Sequence, residues 1–233
     1  KRTREWNKKL SLALQDKFSE EKKSQLHFIL HYYSHFKHPQ YDLNTLNGYQ
    51  QLVAFPKMDL DFKLKNWWWN TTQPFSTWVT EFNMLEQQPY TINNKWAHGL
   101  LVSSQIDQLL KKTQAEMFHF HSIGADKYPV FAALQLMNKD DTYLKPTASG
   151  IVTSLWNKLT QNAEHFYQSK IITKPWILSY EKKNKDYPNN LREEKSIKFT
   201  PIHAYISYEK DKVKLLIVNL SEKTLVTDLN SVM

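Results

Sequence analysis

Apolar residues return along the chain with a helical period in three places. In residues 4–18 an apolar residue stands at every fourth position, with polar residues between, which predicts an amphipathic helix. Broad apolar faces predict two more helices, within residues 93–113 and 145–161. Residues 41–55 are typical of a loop that leads into a helix.

Shorter runs, rich in β-branched and aromatic residues, predict strands. They occupy residues 25–33, 77–82 and 115–124. Each run is separated from the next by helix-like sequence. Strands that alternate with helices favour an α/β fold with a parallel sheet.

The last part of the chain follows a different pattern. Residues 201–208, 213–220 and 224–229 are apolar runs joined by short polar turns, which predicts an antiparallel β-meander. The change from an alternating α/β pattern to an antiparallel β pattern indicates two domains. We expect them to span residues 1–162 and 163–233.

Composition narrows the classes of protein. The chain has 233 residues, of which 41% are hydrophobic and 14% aromatic, as in a folded globular protein. The net charge is +8, but lysines are interspersed with acidic residues, so we do not expect a nucleic-acid partner. Cysteine is absent, and no apolar run reaches the roughly 18 residues of a membrane span.

Because the chain starts directly in helix-like sequence, we expect it to belong to a longer or processed polypeptide.

Polar side chains mark the ends of the three predicted parallel strands. The first strand ends around His31 and Tyr33, the second at Glu81 and Asn83, and the third at His121. In a parallel barrel these ends form the mouth that carries catalytic residues. We therefore expect Glu81 to share one pocket with Tyr33 or His31 and with His121. A tyrosine hydroxyl there would stabilise the charged carboxylate.

Other interpretations of these residues stay open at this point. Glu81 could be an ordinary solvated residue at a strand end. The histidines His31, His119 and His121 could bind a metal, although no Asp or Glu completes a recognisable spacing. The run Trp67–Trp69 could stack sugars or pack in a core.

In their order and in their amino-acid sequences, the segments also resemble the C-terminal half of a clan A glycoside hydrolase. The similarity is greatest to the α-L-arabinofuranosidase and β-xylosidase-like families. The most specific matches are Thr-Glu-Phe-Asn at 80–83 and Val-Asn-Leu-Ser at 218–221. LHFILHYY (26–33), STWVTEFNML (76–85) and AEMFHFHSIG (115–124) are similar to barrel strands six, seven and eight.

This resemblance implies a fold and a reaction. It implies the C-terminal part of a (β/α)8 TIM barrel, about strands six to eight, followed by an antiparallel β-sandwich. Glu81 would be the nucleophile of a retaining glycosidase that degrades oligo- or polysaccharide without a cofactor. His31, Tyr33, Asn83 and His121 would bind the substrate. An extracellular, periplasmic or lysosomal location would follow.

The chain departs from that family in one respect. A retaining glycosidase needs a second carboxyl group about 5 Å from the nucleophile, as acid/base. In this family that group follows an Asn on an earlier strand, and the chain contains no Asn-Glu pair. Glu164 comes after the last predicted parallel strand and does not fit. We therefore expect a missing N-terminal segment or a second polypeptide to complete the barrel, and no hydrolysis by this segment alone. The alternative is a non-catalytic carbohydrate-binding or structural relative in a larger assembly.

Overall fold

The predicted alternation of strands and helices is present in the structure, and three of the strands form a parallel sheet. In the computed structural model, strands β1 (His27–Phe36), β2 (Ser76–Glu86) and β3 (Ala115–Phe120) pair in the order β1-β2-β3, and both pairings are parallel. The chain divides into two compact units, residues 1–154 and 155–233, and this sheet belongs to the first. The structure describes residues 2–36, 44–66, 75–86, 92, 95–113, 115–121, 123, 132–135, 142–169, 171, 173–180 and 195–223.

Helices and short strands complete the first unit. They are α1 (Arg2–Lys17), α2 (Glu20–Lys23), α3 (Leu46–Asn66), α4 (Trp96–Thr113), β4 (Leu134–Gln135), β5 (Lys145–Pro146) and the start of α5 (Ala148–Thr160). Tyr32, Phe82 and Met84 are buried in the sheet. The Tyr32 hydroxyl reaches the carbonyl oxygen of Pro56 in α3, at 3.4 Å. The two long helices α3 and α4 contact each other and the strands.

The helices and strands were predicted with differing accuracy at their ends. The mixed α/β class and the parallel sheet are confirmed. The strand predicted at 77–82 runs from Ser76 to Glu86, and the helix predicted within 41–55 continues past Pro56 to Asn66. The run Trp67–Trp69 and the strand predicted at 224–229 lie outside the described residues.

The second unit is antiparallel. It contains β6 (His165–Ser169), β7 (Trp176–Tyr180), β8 (Lys195–Phe199), β9 (Ile202–Glu209) and β10 (Lys212–Asn219). The predicted antiparallel pairing of residues 201–208 with residues 213–220 is confirmed by β9 and β10. β6, which the sequence pattern missed, pairs with the other edge of β9, and β7 pairs with β8. Tyr205 anchors this core, because its ring stacks on Phe166 at 5.5 Å and meets the edge of Trp156 at 4.8 Å.

None of the helices in the described part of the chain combines the length and apolar character needed to span a membrane.

A glycine at the start of α5 allows a close approach that we expect to be sensitive to mutation. A Cβ at Gly150 would overlap the backbone carbonyl of Ala133. We predict that Gly150→Ala lowers the free energy of unfolding by about 1–3 kcal/mol, as overpacking usually does. Urea unfolding would measure the loss. Ser154→Ala, at an exposed position of the same helix, is the control and should change stability by less than about 0.5 kcal/mol.

Candidate functional site

The pairing of β1 with β2 places the predicted site residues side by side. They lie within these strands and not at their ends as predicted, because β1 continues to Phe36 and β2 to Glu86. His31 is the register partner of Glu81, and Tyr33 is the partner of Asn83. Side chains at paired positions of neighbouring strands lie on the same face of a sheet. This face is open around the site, since the His31 side chain is 54% exposed and Glu81 37%.

An irregularity in β2 puts Glu81 on this open face. Leu30 pairs with Val79, but the next residue, His31, pairs with Glu81, so Thr80 is an extra residue in β2. In a regular strand, Glu81 would point to the same face as Val79, which is buried. A bulge re-aims the side chains that follow it. The extra residue therefore keeps Glu81 at the surface and lets Phe82 take the buried position.

Glu81 is held as a carboxylate by its neighbours. The Tyr33 hydroxyl donates a hydrogen bond to Glu81 Oε2 at 2.7 Å, and His31 Nδ1 lies 3.5 Å from the same oxygen. The hydrogen bond from Tyr33 is the main cause that lowers the pKa of Glu81 below its usual value. Partial burial opposes this effect, and the charges of His31 and His121 add to it. Glu81 is thus ionised at neutral pH.

Tyr33 is suited to remain the donor in this pair. Burial, and then the hydrogen bond to Glu81, raises the pKa of the Tyr33 hydroxyl well above its usual value. The phenol therefore keeps its proton at neutral pH, where Glu81 is charged. The His121 ring meets the Tyr33 ring edge-on, with 5.7 Å between the centroids. Tyr33 consequently contacts the side chains contributed by both other strands.

A buried ion pair from α3 fixes the main chain of Tyr33. Lys63 Nζ donates to the Tyr33 carbonyl oxygen at 2.5 Å and pairs with Asp59 at 2.8 Å. The same ammonium group lies 4.8 Å from the centroid of the Tyr32 ring. Lys63 and Asp59 are both buried, and a buried charge is tolerated when it is paired and hydrogen-bonded. The helix thereby holds the part of β1 that presents the tyrosine.

Asn83 differs from the other predicted site residues because it is fully buried. Its Nδ2 donates to the His121 carbonyl oxygen at 2.9 Å, and its Oδ1 accepts from the Met84 amide at 2.7 Å. His98 Nε2 in α4 lies 3.2 Å from the same Oδ1. Gln105, also in α4, donates to the Asn83 carbonyl oxygen at 2.8 Å. The contact of Asn83 with substrate stays a prediction. Its contacts within the protein connect β2 with α4 and with the end of β3.

Four predicted residues therefore meet on the open face: Glu81, His31, Tyr33 and His121. Sequence reasoning missed the residues behind them, Lys63, His98 and Gln105. One signal was present, because His98 and Gln105 are polar residues seven positions apart in a predicted helix, and that spacing places them on one face.

The metal interpretation of the histidines finds no geometric support. Within the described residues, no group of three or more His, Cys, Asp or Glu side chains is arranged to hold a metal ion. His31, His119 and His121 are all described and exposed, and they do not form such a group.

Comparison of the chain with protein-family models, with curated proteins and with solved structures found no match.

The hydrogen bond from Tyr33 gives a direct test of the electrostatics. We expect Tyr33→Phe to raise the pKa of Glu81 toward its usual value, because the main stabiliser of the carboxylate is removed. Titration of the Glu81 side-chain carbon by NMR would measure the change. His31→Asn should give a smaller rise, since the His31 charge contributes less. An unchanged pKa in Tyr33→Phe, or a larger rise in His31→Asn, would contradict this assignment.

Burial of His98 predicts acid sensitivity of the fold. Burial lowers the pKa of His98 from 6.5 to about 4. Between these values the unfolded chain binds a proton that the folded chain does not, so stability falls as the pH drops through this window. The loss attributable to His98 between pH 7 and pH 4 is about 3 kcal/mol. Urea unfolding at several pH values would measure this loss. In His98→Gln the free energy of unfolding should fall less between pH 7 and pH 4 than in the wild type. An equal fall in both proteins would contradict the prediction.

Proposed function

We propose that the chain carries the nucleophile of a retaining glycoside hydrolase, and that Glu81 is this nucleophile. The observation that carries the proposal is the carboxylate of Glu81. It is ionised and partly exposed on the open face of a parallel strand, and it accepts a hydrogen bond from Tyr33. A carboxylate nucleophile must be charged and reachable by the sugar, and Glu81 meets both requirements.

The proposed reaction has two steps. In the first, a Glu81 oxygen attacks the anomeric carbon, the bond to the leaving-group oxygen breaks, and an acid/base residue protonates that oxygen. In the second, water deprotonated by the same residue hydrolyses the glycosyl ester and regenerates Glu81. Tyr33 would release its hydrogen bond as Glu81 loses charge, and His31 and His121 would contact the sugar hydroxyls.

The acid/base of this reaction is proposed to come from a different polypeptide segment. Among the described residues, the side chains that affect the pKa of Glu81 are those of Tyr33, His31 and His121. None of them is a carboxyl group. Within the described sheet, β1 and β3 are edge strands. Unpaired strand edges invite pairing with a further strand. We propose that such strands close a (β/α)8 barrel, in which β1, β2 and β3 are strands six to eight. In this proposal the second unit is the β-sandwich that follows.

The test is Glu81→Gln in the complete protein, that is, with the polypeptide that supplies the acid/base. We expect turnover of aryl arabinosides or xylosides to fall at least about 10³-fold, because no covalent intermediate forms. Glu116→Gln is the matched control. Glu116 is also a strand glutamate near a histidine, with His27 Nδ1 at 3.4 Å, and its removal should leave turnover unchanged.

Rescue by azide distinguishes a nucleophile from a structural residue. In Glu81→Ala, azide could attack the anomeric carbon in place of the carboxylate, with loss of the aryl leaving group. The product would be a glycosyl azide of inverted configuration, which NMR identifies. Wild-type turnover in Glu81→Gln would exclude Glu81 as the nucleophile. Sugar binding by the complete protein without any hydrolysis would favour the non-catalytic alternative.

A further inference from the structure

A chain of hydrogen bonds runs from α4 through β2 to the end of β3. His98 Nε2 lies 3.2 Å from Asn83 Oδ1, and Asn83 Nδ2 donates to the His121 carbonyl oxygen at 2.9 Å. We infer that His98 is a positioning residue, which through the side chain of Asn83 holds the main chain of His121 in place. The inference rests on the proposed function only in its catalytic consequence.

The orientation of the Asn83 amide follows from its main-chain partners. The Met84 amide can only donate and the His121 carbonyl can only accept, so Oδ1 faces the first and Nδ2 the second. His98 faces the acceptor Oδ1, and its Nε2 must therefore carry the proton. Since burial lowers the pKa of His98 to about 4, the ring is neutral at physiological pH and Nδ1 is unprotonated.

The other ring nitrogen shows that packing alone does not explain this histidine. His98 is 1% exposed, and its Nδ1 has no hydrogen-bond partner among the described residues. A buried acceptor without a partner costs stability, which an apolar side chain of similar size would avoid. A buried polar residue with such a cost calls for a role. The bond from Nε2 to Asn83 provides one.

The bond acts at the point where the third strand meets the site. His121 is tied to β2 on both sides of its main chain, because its amide donates to the Phe82 carbonyl at 3.0 Å and its carbonyl accepts from Asn83. Its ring then lies beside Tyr33, the donor to Glu81. If the Asn83 amide turned, the main chain at His121 would lose one of its two anchors. The ring beside Tyr33 would then be less well fixed.

Two variants separate the hydrogen bond from the volume of the side chain. His98→Phe keeps a ring and removes the donor, whereas His98→Gln places an amide donor close to the position of Nε2. The readout is the imidazole NMR spectrum of His121 in the full chain, with circular dichroism to confirm folding. We expect the His121 signals to shift in His98→Phe and to return toward wild type in His98→Gln. His203→Phe, at another buried histidine on β9, is the control and should leave them unchanged.

A measurement on the wild-type chain keeps the inference testable if His98→Phe does not fold. The nitrogen shifts of His98 should report the neutral tautomer that is protonated at Nε2, and a proton on Nδ1 would overturn the inference. Unchanged His121 signals in a folded His98→Phe chain would do the same.

The catalytic consequence is measured separately in the complete protein. There we expect turnover of aryl glycosides to fall about tenfold in His98→Phe and to recover in His98→Gln. A shift of His121 in a protein that hydrolyses no glycoside would support the positioning role and refute the proposed function. A shift of His121 with full turnover would overturn the catalytic consequence alone.

Discussion

The parallel pairing of β1 with β2, with one extra residue in β2, is the constraint on which the site depends. The pairing sets His31 beside Glu81 and Tyr33 beside Asn83, and the extra residue Thr80 decides which face Glu81 occupies. Without it, the carboxylate would enter the face where Val79 is buried, and an unpaired charge there would be costly. The bulge therefore resolves the conflict between an apolar strand and an acidic side chain in its middle.

Polar residues of the surrounding helices support this strand pair from the buried side. Lys63 in α3 holds the carbonyl of Tyr33, and Gln105 in α4 holds the carbonyl of Asn83. Each buried donor satisfies a main-chain oxygen within the strands that carry the cluster. Such contacts cost desolvation, but they hold the main chain of both strands through directional hydrogen bonds, which apolar packing does not provide. The exposed cluster is thus backed by hydrogen bonds from two helices to the strands that carry it.

The two units use different physical means to bury their strands. In the first, strands that run parallel need long helical connections, and α3 supplies buried apolar side chains such as Leu52 and Phe55. In the second, short turns allow antiparallel neighbours, and aromatic contacts around Tyr205 make the core. The exposed histidines and the carboxylate that they flank lie in the first unit.

The sequence by itself determined the types of the main helices and strands, the parallel and antiparallel parts, and the four side chains that meet on one face of the parallel sheet. It placed the ends of β1 and β2 too early. Periodicity reports these features because each depends on neighbouring residues along the chain. It could not report the bulge at Thr80, since strict alternation assigns Glu81 to the buried face and only the register with β1 moves it. Nor could it reveal the roles of Lys63 and His98, or the pairing of β6 with β9. These depend on contacts between residues distant in sequence, which only the tertiary structure brings together.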